Sequence, residues 1–329
     1  MEMLWEVLRC PATGQRLTPD GARLVTEDGT RSYPLRGAIP ILIADDLGLF
    51  RQEDYATAAP VSEPSAIDRW TSAVLRFPSV SRNWLGERNF AQLHALIRER
   101  AATRARPRVL IIGGAIVGQG IGPILGDAGL DIVETDVAIG PRTSVVCDAQ
   151  DLPFADGSFD AVIIQAVLCY LPEPQRAADE IHRVLSADGL VYSEAPFMQQ
   201  VLGGAHDYFR FSMLGHRRLF HHFEQIDAGA QCGPGMATAW SVSYLFRSFG
   251  GSNRVARGAL RKVGALLTFW LTFLDPWLIR TPGGLDAASG VYFLGRRTDS
   301  ALSERELSQT YQGGNRSAIV EANGPRVGG

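Results

Sequence analysis

A short polar segment, residues 206–210, carries side chains suited to proton transfer. It reads His-Asp-Tyr-Phe-Arg. Histidine and carboxylate groups are the usual general bases of enzymes, so we predict His206 as a base and Asp207 as its orienter or substitute. Tyr208 and Arg210 are predicted to bind the substrate. The alternative is a structural loop, in which His206 and Asp207 only form hydrogen bonds and Arg210 only pairs with Asp207.

A glycine-rich turn after residue 112 predicts a nucleotide-binding element. Residues 109–112 (Val-Leu-Ile-Ile) favour a short buried strand, and residues 121–125 favour a helix. Between them lie Gly113, Gly114, Gly118 and Gly120. Glycine has no Cβ, so a ligand can approach the backbone of such a turn, and the helix N-terminus supplies free N–H groups. A plain tight turn is the alternative.

An acidic residue follows at the position where a doubly wound fold binds a ribose. Residues 130–137 predict a second strand, which carries Asp136 near its end. A carboxylate there can accept hydrogen bonds from both ribose hydroxyl groups. A turn-capping role for Asp136 and a ribose-binding role for Glu134 are the weaker alternatives.

The chain beyond residue 144 continues the alternation of strands and helices that is typical of an α/β fold. Strands are predicted from 144 to a break at Asp148, at 160–165, at 190–195 and at 288–295, with helices at 174–185, at 214–220 and up to residue 249. Gly189 is predicted to end the helix at 174–185 in the left-handed conformation.

Three motifs, in addition to the glycine turn and Asp136, carry a family resemblance. They are Asp-Ala-Gln-Asp-Leu-Pro-Phe at 148–154, Ser-Phe-Asp-Ala-Val at 158–162 and Glu-Ile-His-Arg-Val-Leu at 180–185. In this order they resemble the class I S-adenosyl-L-methionine (SAM) methyltransferases over about residues 106–197. The resemblance implies an α/β fold with a doubly wound, Rossmann-like sheet of seven strands, an enzyme, and SAM as the cofactor.

The resemblance also implies a set of cofactor-binding residues. Gly113, Gly114 and Gly118 would shape the turn beside the methionine part of SAM, Asp136 would hold the ribose, Asp148 and Ala149 would face the adenine, and Gln165 would line the methyl-donor side. The sequence departs from the family where Ile111 replaces a usual acid and Ala115 replaces a glycine. Two alternatives therefore stay open: a non-catalytic interaction or membrane-associated protein, and an NAD(P)-dependent oxidoreductase.

The first 60 residues predict a small β-rich module. Tyr33, Pro34, Gly37, Ile39 and Pro40 resemble the closing segment of the zinc-ribbon-like domain that activates tRNA methyltransferases. Thr13 stands where the second cysteine after Cys10 would be. Structural zinc sites normally use four ligands, so we predict a degenerate module without a metal, followed by a helical linker at 61–104 and the methyltransferase domain at 105–297.

Composition limits the class of partner and the compartment. The 329 residues carry a formal net charge of −3, which gives no reason to expect nucleic acid as a partner. The four cysteines are scattered, which suits a reducing compartment. The N-terminus lacks the pattern of a signal peptide, so we expect a cytoplasmic protein; the oligomeric state stays open.

The most apolar stretch, residues 263–279, belongs to a predicted apolar helical insertion at about 236–282. Asp275 and Pro276 interrupt it, and it is shorter than the about 20 residues of a bilayer span. A buried helix or hairpin is the simpler interpretation. The alternative is a surface element that dips into the inner face of a membrane, helped by Trp270 and Trp277. Residues 298–329 are predicted to be a disordered tail.

The acceptor is predicted from a second resemblance. The segment His-Asp-Tyr-Phe-Arg-Phe-Ser at 206–212 resembles one in methyltransferases that are encoded among bacterial glycan-assembly enzymes. This resemblance implies O-methylation of a sugar or of a lipid-linked glycan hydroxyl, and hence a role in glycan biosynthesis.

Overall fold

The computed structural model describes residues 2–57, 59–61, 79–100, 106–115 and 117–315. Within them lie strands β1 (Leu17–Asp20), β2 (Arg23–Thr26), β3 (Ser32–Arg36), β4 (Ile39–Leu42), β5 (Arg108–Ile112), β6 (Asp131–Asp136), β7 (Val145–Cys147), β8 (Phe159–Gln165), β9 (Leu185–Pro196), β10 (Phe223–Cys232) and β11 (Gly290–Arg297). The helices are α1 (Glu2–Trp5), α2 (Gly86–Arg100), α3 (Gly122–Leu125), α4 (Pro174–Val184), α5 (Met213–Leu219), α6 (Pro234–Ser248), α7 (Arg254–Thr268), α8 (Asp275–Leu278), α9 (Pro282–Asp286) and α10 (Glu304–Gln309). Short 3₁₀ helices span Gln52–Tyr55, Leu168–Tyr170, Gly204–His206 and Phe269–Phe273.

The strands form one sheet in the order β1-β2-β3-β4-β7-β6-β5-β8-β9-β11-β10. The five strands from β7 to β9 in this order run parallel, and β11 is antiparallel to both β9 and β10. The seven strands β5–β11 confirm the predicted doubly wound α/β sheet. Sequence reasoning missed β10, whose middle residues are half-buried rather than apolar throughout.

The two central strands explain where the core lies. β5 and β8 are buried almost along their whole length, as expected for parallel strands covered on both faces. Because successive side chains point to opposite faces, Leu110 and Val162 join one hydrophobic cluster, whereas Ile111 and Ile163 join another on the other face. The carboxyl ends of these strands are thereby held rigidly at one edge of the sheet.

The N-terminal module extends this sheet. β4 pairs in parallel with β7, with Ile41 opposite Val146 and Leu42 opposite Cys147. The Tyr55 hydroxyl donates to the Val137 carbonyl at 2.8 Å. Cys10 is buried, with its Sγ 3.1 Å from the Tyr33 hydroxyl. The boundary at residue 60 stays a prediction, because strand pairing continues across it.

One predicted helix end is wrong. α4 ends at Val184 and β9 begins at Leu185, and the residue with a positive φ, 57°, is Asp188 rather than Gly189. A Cβ on Gly189 would lie 2.8 Å from the Ser186 carbonyl oxygen. Glycine is therefore needed at 189 for the close approach of two backbone segments, not for a left-handed helix cap.

The predicted disordered tail is wrong as far as Asn315. α10 begins with a capping box, in which the Ser303 hydroxyl accepts from the Glu306 N–H and the Glu306 carboxylate accepts from the Ser303 N–H. The Tyr311 hydroxyl donates to Asp286 at 2.7 Å, and the Asn315 N–H donates to the same carboxylate at 3.1 Å. Residues 316–329 of the predicted tail, and 62–78 and 101–104 of the predicted linker, lie outside the described residues.

The predicted apolar insertion consists of helices that pack on one another. α6 and α7 pack closely where Gly264 meets Ser243. A Cβ on Gly264 would lie only 2.7 Å from the Ser243 Cα. Asp275, at the start of α8, is buried and accepts hydrogen bonds from the N–H groups of Gly235 at 2.7 Å and Met236 at 3.0 Å. In the described part of the chain, no helix combines the length and apolar character needed to cross a membrane.

Candidate active site

A cavity of about 870 Å³ lies at the carboxyl edge of the central strands. This is where open α/β sheets bind their ligands. All of the residues predicted to bind the cofactor line it, namely Gly113, Gly114, Gly118, Asp136, Asp148, Ala149 and Gln165. The structure thus brings together residues that follow β5, β6, β7 and β8.

The turn after β5 requires glycine at position 113. The N–H groups of Gly113 and Gly114 donate to the Thr135 carbonyl at 2.8 and 3.0 Å. Gly113 has a φ of 83°, and a Cβ there would lie 2.4 Å from Val167 Cγ2. A Cβ on Gly118 would lie 1.5 Å from Gln165 Oε1. A side chain is therefore excluded at Gly113, whereas one at Gly118 would require the end of the Gln165 side chain to move.

Asp136 fixes the shape of this turn from the end of β6. Its Oδ2 accepts from the Ala115 N–H at 3.0 Å, and its Oδ1 accepts from the Ala138 N–H at 2.9 Å. The bond to Ala138, two residues further along the chain, is a turn-capping contact, which the sequence analysis kept as an alternative role for Asp136. A carboxylate oxygen has two lone pairs, so each oxygen keeps capacity for a further donor, as ribose binding requires.

The N-terminal segment forms the wall beside Asp148. Asp148 Oδ1 accepts from the Gln150 N–H at 2.9 Å. A Cβ on Gly48 would lie 3.2 Å from Asp148 Oδ2, and the adjacent Leu49 and Phe50 line the same cavity. No local pattern predicts this contribution, because it depends on the pairing of β4 with β7.

A buried carboxylate in the cavity escaped the sequence analysis. Glu194, in β9, is 3% exposed; it accepts from the Tyr192 hydroxyl and from Gln165 Nε2, each at 2.5 Å. Gln231 and Asn83 are its other partners. All four are neutral, and burial raises the pKa of Glu194 above its ordinary value. An acid inside an otherwise apolar strand was the signal that could have identified it.

A second buried carboxylate, Glu134, is paired with a cation. Arg142 Nε donates to Glu134 Oε1 at 2.8 Å, and Arg142 Nη2 donates to the Gly114 carbonyl at 3.0 Å. Burial raises the pKa of Glu134, and Arg142 opposes this effect. Glu134 therefore supports the glycine turn through an ion pair, whereas the partners of Glu194 are all neutral.

Only one of the four residues predicted in the catalytic loop lines the cavity. His206 is exposed and lines the cavity, whereas Asp207, Tyr208 and Arg210 do not line it. Asp207 pairs with both terminal nitrogens of Arg210, and its Oδ2 accepts from the N–H of Leu202 at 2.6 Å. The hydrogen bond from Arg210 lowers the pKa of Asp207 to about 2.

These contacts correct two of the predicted roles. Arg210 also donates to the carbonyls of Gln199 and Gln200 at 2.8 and 2.7 Å, so it closes the loop and has its donors engaged there. Asp207 is held as an ion-paired carboxylate, which is a poor base. The exposed Tyr208 donates its backbone N–H to the Cys169 carbonyl at 2.9 Å, and no cavity contact supports its predicted substrate-binding role.

Asp207→Asn is expected to loosen this loop, with a loss of about 1–3 kcal/mol in the free energy of unfolding, because it breaks a nearly buried ion pair. The lowered pKa means that the pair stabilises the fold above about pH 4 and that this contribution fades as the pH falls toward 2. Acid unfolding of the wild type and the variant checks this. Equal stability at neutral pH would contradict the assignment.

One part of the cavity lining is apolar. It includes Tyr170, Leu202, Met236 and Trp240. Trp240 is 7% exposed, and its indole N–H has no hydrogen-bond partner among the described residues. A buried donor without a partner is costly; this nitrogen is enclosed by the surrounding protein atoms, although the Trp240 side chain itself lines the cavity.

Comparison with known proteins places the fold in a class. Residues 128–193 match the family described as a methyltransferase domain. A demethylmenaquinone methyltransferase of Renibacterium salmoninarum is 42% identical over 79 residues, which cover 21% of this chain and 33% of that protein. A UPF0434 protein of Hyphomonas neptunium is 47% identical over 45 residues, or 13% of this chain and 53% of that protein. The chain thus spans between about a third and a half of these curated relatives.

The solved structures are more distant. A phosphoethanolamine N-methyltransferase 2 of Haemonchus contortus in complex with SAM is 15% identical, covers 70% of this chain and 57% of its own, and has a TM-score of 0.42. From the family match, the strand order and the glycine turn, we conclude that this chain contains a methyltransferase domain of the class I SAM-dependent type. The cofactor of this class is S-adenosyl-L-methionine.

Proposed function

We propose that the protein transfers a methyl group from SAM to a hydroxyl group on an acceptor with an apolar body, with a lipid-linked glycan as the first candidate. The observation that carries this proposal is the continuity of one cavity. Its lining includes both the polar residues at the strand ends and apolar residues such as Met236 and Trp240. A free sugar would match the first part of this lining but not the second.

The residues at the strand ends fit the cofactor. In this proposal the glycine turn frames the methionine part of SAM, Asp136 uses its remaining acceptor capacity for the ribose, and Asp148 accepts from the adenine amino group; the position of all these residues in the cavity lining supports it. Bound SAM supplies a methyl group that is already activated by a positively charged sulfur. Glu194 places a buried carboxyl group with neutral partners at the cavity wall, and its ionised form would favour a cationic ligand.

The chain has two groups that could position the acceptor. In this proposal the Trp240 ring packs against the apolar body of the acceptor, and His206 takes the proton from the reacting hydroxyl. Transfer of an activated methyl group needs mainly alignment of the acceptor. Binding of the acceptor against the apolar lining therefore supplies most of the catalytic effect. His206 contributes the proton transfer.

His206→Asn is expected to reduce turnover of a hydroxyl acceptor by about 100-fold or more, the usual contribution of a general base. SAM affinity, measured by calorimetry, should stay within about twofold because the donor end is unchanged. His221→Asn is the matched control, since its ring bonds to the Arg218 carbonyl outside the cavity. Unchanged turnover in His206→Asn would contradict the assignment as base.

A quinone is the second candidate acceptor. It is favoured by the apolar lining and by the name of the Renibacterium relative, a demethylmenaquinone methyltransferase. A direct test incubates the purified chain and radiolabelled SAM with a polyprenyl-linked sugar, the same sugar without its lipid, and demethylmenaquinone. Label in the lipid-linked sugar supports the proposal, label in the quinone alone replaces it with the second candidate, and label in the free sugar alone removes the lipid requirement.

A non-catalytic protein would give a different result. Such a protein would label none of these acceptors, and titration would show no binding of SAM. An oxidoreductase would bind NADH instead. The cytoplasm, as the compartment in which the reaction takes place, stays a prediction.

A further inference from the structure

The helices from α6 to α8 expose an unusual amount of apolar surface. Val255 is 81% exposed, Phe249 76% and Trp277 71%. The other large apolar side chains exposed along this run are Leu245, Val263, Leu266, Leu267, Trp270, Phe273 and Leu274. We call this surface the α6–α8 face. Single exposed apolar residues are ordinary, but a cluster of this size marks an interaction site.

The spacing along α7 separates this surface from the packed one. Val263, Leu266, Leu267 and Trp270 follow one another at intervals of three, one and three residues and are all exposed. This spacing places neighbours on one side of a helix. Gly264 instead packs on α6 against Ser243. α7 is therefore amphipathic. One side packs against α6, and the other side lacks a protein partner among the described residues.

The charges on the α6–α8 face have one sign. No Asp or Glu occurs between residues 228 and 274, whereas five basic residues do: Arg247, Arg254, Arg257, Arg261 and Lys262. Lys262 is exposed next to Val263. The exposed Arg254 and Arg261 border the face from the other side of α7, about half a turn from Val263. Arg261 stacks over the rings of Trp240 at 5.5 Å and Tyr244 at 5.7 Å. The next acid, Asp275, is buried, and its carboxylate accepts hydrogen bonds from N–H groups at the N-terminus of α6. Exposed tryptophans and leucines flanked by cations alone fit the interface of an anionic bilayer.

We infer that the α6–α8 face docks the protein on the surface of an anionic lipid bilayer. The inference deepens the proposed function, on which it rests for the identity of the acceptor. α6 carries Met236 and Trp240, which belong to the apolar part of the cavity lining, and also Leu245 on the exposed face. Docking through this helix brings a lipid-borne acceptor to the part of the cavity that suits it.

Flotation of the full chain with vesicles tests the inference. Vesicles of phosphatidylcholine alone are compared with vesicles that contain about one third phosphatidylglycerol. The protein is expected to float with the anionic vesicles and to be released by high salt. Arg254→Gln/Lys262→Gln should bind them about 25-fold more weakly, since each basic residue near such a surface contributes about fivefold. Trp270→Ala/Trp277→Ala should also lose flotation.

Matched controls exclude general effects. Arg16→Gln/Arg218→Gln removes two exposed charges elsewhere, and Val201→Ala trims an exposed apolar side chain outside the face; both should float like the wild type. Calorimetric binding of SAM should be equal in all variants, which shows that each is folded.

Two outcomes would overturn the inference. The first is that the wild type does not float with anionic vesicles; if it instead forms a dimer in solution that the tryptophan variant disperses, the face is a contact between two copies. The second is that the face variants and the controls float equally. Because flotation needs no turnover, a protein that floats but methylates nothing would count against the proposed function alone. One that methylates a detergent-dispersed acceptor without floating would count against the docking alone.

Discussion

Asp136→Ala is expected to bind SAM about 100-fold more weakly than the wild type. The carboxylate sits at the end of β6 with both oxygens beside the turn, and each keeps a lone pair for a ribose hydroxyl. Two hydrogen bonds to a charged acceptor contribute together about 3 kcal/mol, which corresponds to slightly more than 100-fold in the dissociation constant. Isothermal titration with SAM measures the effect directly.

The substitution also removes two bonds to backbone N–H groups, so a control must separate binding from folding. Asp131→Ala alters the opposite end of the same strand, where the carboxylate accepts from Arg108 Nε at 2.8 Å. It should lower thermal stability without changing SAM affinity. Unchanged affinity in Asp136→Ala would remove the ribose role, and binding of NADH in place of SAM would move the protein to the oxidoreductase class.

Gly113→Ala is expected to lose SAM binding and to unfold at a temperature several degrees lower. A non-glycine residue at a φ of 83° costs about 1–2 kcal/mol. The new methyl group would also lie 2.4 Å from Val167 Cγ2, and overpacking of this kind adds about 1–3 kcal/mol. The turn would then shift away from the place where it frames the cavity. Thermal unfolding and titration with SAM measure the two effects.

A nearby glycine supplies the comparison. At Gly122, the first residue of α3, a Cβ has open space around it and the φ is not positive. Gly122→Ala should therefore bind SAM like the wild type and match or exceed its stability. Gly113→Ala/Val167→Ala should recover part of the lost stability, because it relieves the clash but not the backbone strain. No recovery would show that the clash with Val167 is not a main cause.

The residues that were correctly predicted to meet at one cavity share one structural feature. Strands covered on both faces have continuous apolar segments, and polar residues at their ends meet at one edge of a parallel sheet. Asp136, Asp148 and Gln165 each follow or end such a segment, so their assembly around one cavity could be predicted without knowledge of any contact. Their roles as ligands of SAM stay predictions until binding is measured.

The errors in the loop at 199–210 have a different origin. The sequence places His206, Asp207 and Arg210 within five residues, but their spacing does not say which side chains turn inward. In the folded loop Asp207 and Arg210 satisfy each other and the nearby backbone, and His206 is left at the cavity. Proximity in sequence was therefore a poor guide to a shared catalytic role.

The sequence by itself determined the class of fold, the glycine turn and the acids at the strand ends, because these follow from local periodicity and from the order of the elements. Tertiary structure decided the rest of the site: the wall formed by Leu49 and Phe50, the burial of Glu194 among neutral donors, and the exposed α6–α8 face. Each of these depends on contacts between distant parts of the chain, or on which side of a helix is left without a partner. Such contacts form only when the whole sheet assembles; the local pattern marks Glu194 as an acid in a largely apolar strand but does not encode its partners.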